Sequence, residues 1–189
     1  MKILTIHDVK DEFFGKLDFR SYILTFHDAL FSQYFYWPIF RNIPTEKIFF
    51  ISTNLIGIDG LGKRKKWVGK MQKFPNCFEA LDDHKDTGNR ENYMRLEELQ
   101  EIINDGAIIG AHGHNHIKYY LHETQMRQDI ERMLEWFETH LKIRPTKYAY
   151  PHYEDPFILT RILKEYGFTE FYGREIIEIE QEINILSNV

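Results

Sequence analysis

Two short apolar runs in this chain stop on the same dipeptide: Ile3-Leu4-Thr5-Ile6 on His7-Asp8, and Tyr22-Ile23-Leu24-Thr25-Phe26 on His27-Asp28. Runs of this length, apolar and partly β-branched, read as buried strands. The pattern returns at Lys47 to Thr53, Ala107 to Gly110, Lys147 to Tyr150 and Phe168 to Tyr172. Near-continuous apolar strands belong to parallel sheets covered on both faces. Helical patterns lie between them. Ala29 to Asn42 is crowded with aromatics and is ended or kinked by Pro38; Arg95 to Asn104 carries Leu96, Leu99, Ile102 and Ile103, with Gly106 as its stop. Thr124 to Lys142 is the clearest helix, with Met126, Ile130, Met133, Leu134, Phe137 and Leu141 on one stripe and Arg127, Asp129, Glu131, Arg132 and Glu138 on the rest. Asp155 and Pro156 suit the start of another helix, which Gly167 ends. Strand and helix alternate, so the expected class is α/β. A flat doubly wound sheet and a β/α barrel both satisfy the alternation, and in either one ligands bind beyond the C-terminal strand ends. The two His-Asp pairs fall there, although an aspartate in that place also suits a turn cap.

The fourth strand run leads into Ala111-His112-Gly113-His114-Asn115-His116. If the backbone is helical or turning there, His112 and His116 lie one turn apart and can offer imidazole nitrogens to one divalent ion. The spacing alone also fits a polar loop of solvated histidines.

At 189 residues the chain suits one domain over 1–189, and 43% apolar content excludes a disordered chain. A formal charge of −5 gives no global reason to expect nucleic acid as a partner. Cys77 is the one cysteine and forms no internal disulfide. No run approaches the ~20 apolar residues of a membrane helix, and Met1 to Lys10 lacks a secretory core, so we expect no transmembrane segment and a cytoplasmic location. From about 57 to 92 periodicity fades, and a long insertion or loop is expected. It holds Lys63-Arg64-Lys65-Lys66-Trp67, with Lys70 and Lys73, a patch suited to an anionic glycan, to lipid head groups in a peripheral membrane contact, or simply to solvent. Asp82-Asp83-His84 has side chains of the types that bind metal, but a metal site there is not the favoured reading. No symmetry signal marks an oligomer.

From Tyr22 to Tyr172 the order and spacing of the segments resemble those of the polysaccharide deacetylases of the NodB type, carbohydrate esterase family four. Thr25-Phe26-His27-Asp28-Ala29 stands where the family has T-F-D-D-G, His112-Gly113-His114-Asn115-His116 where it has H-S/T-x-x-H, and Tyr148-Ala149-Tyr150-Pro151-His152-Tyr153 looks like its F-A-Y-P-Y-G segment. The resemblance implies a distorted, incomplete (β/α) barrel. It implies a divalent metal, zinc with nickel or cobalt as alternatives, held by Asp28, His112 and His116. It implies an N-acylated sugar or glycan as substrate and puts the oxyanion donor at the backbone of His152.

The departures shape the expected chemistry. His27 occupies the place of the family's aspartate base, and a neutral imidazole can serve as base or enter the metal shell. Gly113 lacks the family's hydroxyl, and Tyr153 replaces a glycine where a left-handed turn would strain any other residue. The family's C-terminal L-x-H, whose histidine is the general acid, is missing, and no histidine follows His152. His152 and His7 are the candidates for that acid. His114 should orient the loop or meet solvent. Two histidines and a carboxylate leave an open metal position at which a water becomes acidic. The expected function is therefore metal-dependent removal of an N-acetyl group from a sugar of a polysaccharide or its precursor. The alternatives are a degenerate member that binds sugar or metal without turnover, and a deformylase of a formylamino sugar with a smaller acyl pocket.

Overall fold

All six apolar runs form strands: β1 (Lys2–Ile6), β2 (Tyr22–His27), β3 (Lys47–Ile51), β4 (Ile108–Ala111), β5 (Lys147–Ala149) and β6 (Glu170–Tyr172). The computed structural model describes residues 1–57, 74–118, 122–153, 157–173 and 177–187. The basic run from Lys63 to Lys73 and the Asp155-Pro156 helix start lie outside them. A further strand, β7 (Ile177–Glu178), was not expected, since two residues show no period in a sequence. The sheet order is β6-β5-β4-β3-β2-β1-β7, and every recorded pairing is parallel. From β1 to β6 each strand lies beside its predecessor, without the reversal of order that defines a doubly wound sheet. That progression is the winding of a β/α barrel. β7 returns to the free edge of β1, and the ring stays open between β6 and β7. The fold is thus the incomplete (β/α) barrel.

Alternation along the strands sorts the side chains into two layers. Leu4, Ile6, Leu24, Phe26, Phe49, Ile51, Ile109 and Ala111 face the helices and join the main core. Against them pack Trp37 and Phe40 of α2 (Trp37–Phe40), Leu99 and Ile102 of α4 (Leu96–Asn104), Met126, Ile130, Met133 and Phe137 of α5 (Glu123–His140), and Leu159, Ile162 and Leu163 of α6 (Phe157–Glu165). The opposite face holds a cluster of Ile48, Phe50, Ala149 and Tyr172, with Ile3, Ile23 and Ile108 against it. On that inner face a hydrogen bond of 2.9 Å joins the hydroxyls of Thr5 and Thr25.

The aromatic segment after β2 is broken into α1 (Phe31–Phe35) and α2 at Tyr36, as the position of Pro38 requires. The segment from 57 to 92 holds a helix, α3 (Cys77–Thr87), capped by Asn76 and Glu79 at its start and by left-handed Gly88 at its end. Asp83 accepts from Thr87, Asn89 and Asn92, and His84 Nδ1 meets the Asn89 carbonyl. That pair therefore finishes the helix. The last helix, α7 (Ile179–Ser187), follows β7 directly and is tied to β1 and β2, with Glu182 accepting from Lys2 and from the Tyr22 hydroxyl. Among the described residues no helix is long and apolar enough to cross a membrane.

Gly110 is the tightest point of the inner layer. It pairs in register with Phe50, and a Cβ there would come within 2.4 Å of the Phe50 ring and 3.2 Å of the Lys147 carbonyl oxygen. Phe50 is wholly buried, packed with Ile48, Ala149 and Tyr172. Gly110→Ala is expected to cost about 1–3 kcal/mol through overpacking, read as a lower midpoint in thermal or urea unfolding.

Candidate functional site

The inner-face alternation that puts Thr25 beside Thr5 continues to His27 at the end of β2, and the residue after β4 on the same parity is His112. His7 follows β1 in the same way. The imidazoles form a row: ring centroids lie 5.2 Å apart for His7 and His27, 5.0 Å for His27 and His112, 4.9 Å for His112 and His116, and 4.7 Å for His116 and His152. Every histidine singled out as a site residue is in this row. Asp28 completes the group from a strained turn, in which Asp28 and Ala29 have φ of 68° and 58°. Backbone hydrogen bonds hold that turn, from the Asp28 N–H to Phe50 and from the Met94 N–H to Ala29.

His112 and His116 are brought together by a loop, not by a turn of helix. Gly113 and His116 both have positive φ, and α5 fastens the loop from below. Asp129, 3% exposed on a face expected to be solvated, accepts from the backbone N–H groups of His114 and Asn115 and from the Asn115 amide. His114 Nδ1 lies 2.7 Å from the Thr53 hydroxyl, and the turn that follows β3 supplies two more links, Thr53 N–H to the Gly113 carbonyl and Asn54 N–H to the His114 carbonyl. His114 thus orients the loop.

Three atoms converge at the centre. Asp28 Oδ1 lies 3.4 Å from His112 Nε2 and 3.1 Å from His116 Nε2, and the ligand atoms of the three residues lie within 4.8 Å of one another. Nδ1 of His112 is 2.8 Å from the Ala149 carbonyl and must donate to it, which leaves Nε2 as a lone pair. Burial holds His112 below its usual pKa, so at neutral pH this lone pair faces a carboxylate oxygen that has no hydrogen-bond partner among the described residues. Buried acceptors gathered without donors are what a cation requires. The donor set, two imidazoles and a carboxylate, suits zinc or a similar divalent ion.

The neighbours differ in charge state. His27 is completely buried, both of its ring nitrogens lack a hydrogen-bond partner among the described residues, and burial followed by the nearby His112 and His7 holds it neutral, well below 6.5. His7 goes the other way. Burial opposes its charge, but the hydrogen bond to Glu178 and the charges of Asp28, Glu178 and Asp8 together raise it above 6.5. Desolvation, then His116 and Lys118, pull His152 down to about 4. The turn at its backbone survives without glycine: His152 and Tyr153 have φ of 57° and 58°, and the Tyr153 N–H closes it on the Tyr150 carbonyl at 3.0 Å.

These groups line a cavity of about 470 Å³. One wall is α3, with Cys77, Phe78 and Leu81; the other is the end of β1 with Tyr153, Glu178 and Ile179. The Cys77 thiol is pushed up to about 12 by burial and the surrounding carboxylates, so it remains protonated wall material. Sequence reasoning missed Asp129, the Tyr153 hydroxyl and Glu178. None of the three left a signal that periodicity could read.

A family model described as polysaccharide deacetylase matches residues 18–171. The fold is similar to that of IcaB from Ammonifex degensii, at TM-score 0.69 and 17% identity over 98% of this chain and 96% of that one. It is similar to the deacetylase PplD of Streptococcus pyogenes, solved with acetate, at TM-score 0.65 and 12% identity over 98% and 97%. A third likeness is to the BpsB deacetylase domain of Bordetella bronchiseptica, at TM-score 0.62 and 13% identity over 92% and 88%. No curated protein matches the chain in sequence.

Asp129→Ala would strand the two loop N–H groups and the Asn115 amide. The expected loss is roughly 2–3 kcal/mol, as for hydrogen bonds to a charged acceptor, measured by urea unfolding. Asp129→Asn keeps one acceptor oxygen and should recover part of it.

Proposed function

The chain belongs to the polysaccharide deacetylase family, and from that premise we propose that it hydrolyses the N-acetyl group of a sugar in a polysaccharide or its precursor, using a divalent cation held by Asp28, His112 and His116. The observation that carries this reading is the convergence of Asp28 Oδ1 on two imidazole Nε2 atoms in the cavity. A divalent ion, zinc, nickel or cobalt, supplies Lewis acidity in such a site, making a water acidic and polarising an acyl carbonyl.

The chain's own residues do the rest. Neutral His27 lines the cavity with unpartnered nitrogens and is the base that takes the proton of the attacking water. The backbone N–H of His152, on a left-handed turn beside His116, is the donor for the developing oxyanion. His7 is the acid for the departing amine. Its raised pKa keeps a larger protonated share at neutral pH than an ordinary histidine has, whereas His152, lowered to about 4, is neutral there. Cavity walls of opposite character suit a sugar ring, with Phe78 and Leu81 on one side and polar groups on the other.

The low basicity of His27 supports a second reading, a member that binds metal and glycan without turnover. One experiment separates the two. Purified protein incubated with zinc is expected to hold about one ion per chain, lost in Asp28→Ala, and to release acetate from N-acetylated oligosaccharides. His7→Ala should keep the ion and lose about 10²–10⁴ in kcat, the scale of general acid catalysis. Metal and glycan binding with no acetate released at any pH would leave the binding reading standing, and absence of any bound zinc, nickel or cobalt would remove both.

A further inference from the structure

β7 has two residues, yet its register with β1 pairs Thr5 with Glu178 as Thr5 also pairs with Thr25. Paired residues of parallel strands point to the same side, so Glu178 enters the inner face one step before His7. Its two carboxylate oxygens are used separately. Oε2 lies 3.4 Å from His7 Nδ1, and Oε1 accepts from the Tyr153 hydroxyl. That hydroxyl is in turn 3.4 Å from His7 Nε2, and all three residues line the cavity. Burial and neighbouring carboxylates raise the Tyr153 phenol above its usual range, so it is a donor and its proton belongs to Glu178.

We propose that Glu178 is a positioning residue for His7: its carboxylate accepts Nδ1–H, so that Nε2 is the nitrogen presented to the departing amine. The inference rests on the reading of His7 as the general acid. When the C–N bond breaks, its electron pair goes to the amine nitrogen, and the proton on His7 Nε2 moves to that nitrogen. The imidazole is left neutral, with Nδ1–H still on Glu178. Tyr153 holds the second carboxylate oxygen and keeps the carboxylate turned toward the imidazole. Two neighbouring strands therefore supply the two halves of one acid, the imidazole from His7 just past the end of β1 and the carboxylate from Glu178 of β7.

The other groups facing His7 do not replace Glu178. Asp28 is committed to the metal position, and His27 is held neutral. Asp8 meets Lys10, which also bridges to Glu180 at the cavity rim. Glu178 is the carboxylate with an oxygen recorded beside Nδ1.

The test is Glu178→Gln in the zinc-loaded protein, with two readouts. In NMR titration the His7 imidazole is expected to lose its proton at lower pH than in the parent, because the carboxylate that favours the charged ring is gone. In kinetics, KM should hold while kcat falls, by less than the about 10²–10⁴-fold expected for loss of the acid itself. The alkaline limb of the kcat profile should move to lower pH along with the titration. In a His7→Ala background the same change should add nothing. An unshifted His7 titration overturns the inference, as does a full second loss in that background. If His7→Ala is fully active while Glu178→Gln still shifts the titration, the acid assignment falls and this inference falls with it, leaving the deacetylase reading to be judged by acetate release. Should the glutamine variant not fold, Glu178→Asp, which keeps the charge but withdraws it from Nδ1, should move both readouts part of the way; both unmoved would overturn the inference.

Discussion

Parallel pairing in register is the constraint on which this molecule depends. Thr5 faces Thr25 and Glu178, and Phe50 faces Gly110, so the inner residues of five strands lie at matched heights. A slip of one residue in any strand would turn its inner set outward, exchanging apolar core positions for the site. Packing therefore specifies the chemistry. The Leu, Ile and Phe side chains that bind the strands to the helices also fix which histidines look into the cavity.

Strain is the counterpart of that order. Among the described residues, positive φ outside glycine occurs at Asp28, Ala29, His116, Lys142, His152 and Tyr153, and all but Lys142 lie at the site. Ala29 and Tyr153 stand where the related motifs carry glycine, so the backbone shape is kept while side chains burden it. Left-handed backbone costs roughly 1–2 kcal/mol per residue. The hydrogen bonds from Asp28 N–H to Phe50, Met94 N–H to Ala29 and Tyr153 N–H to Tyr150 offset it. At Tyr153 the burden has a return, since its hydroxyl reaches both Glu178 and His7. Strain gathered at one functional region, over-determined by its surroundings, is a common pattern.

Much of this was legible in the sequence. Six strands were readable because buried parallel strands are apolar along their whole length, and Asp28, His112 and His116 because the motifs bracket those strands. The choice of the open barrel over the flat sheet came from the motif resemblance and not from periodicity, which carries no information on which strand lies beside which. Asp129 read as a solvated helix residue because its partners, two backbone N–H groups of a loop, have no sequence signature. β7 escaped because two residues show no period, and Glu178 with it. The weak point of periodicity was thus the place where the site draws on distant parts of the chain.

The pairing of Leu4 with Ile177 joins two strands far apart in the chain, and it has a consequence for how the molecule is made. β1 can bind β2 as soon as both exist, but its other edge must wait until β7 has been synthesised. Contacts of such separation form slowly because the loop must close before anything is gained. Until then an apolar strand has one side unpaired, a template for another chain. Assembly should therefore finish at the seam between β1 and β7, and a synthesis interrupted before β7 would leave a sheet that is sticky along the free edge of β1.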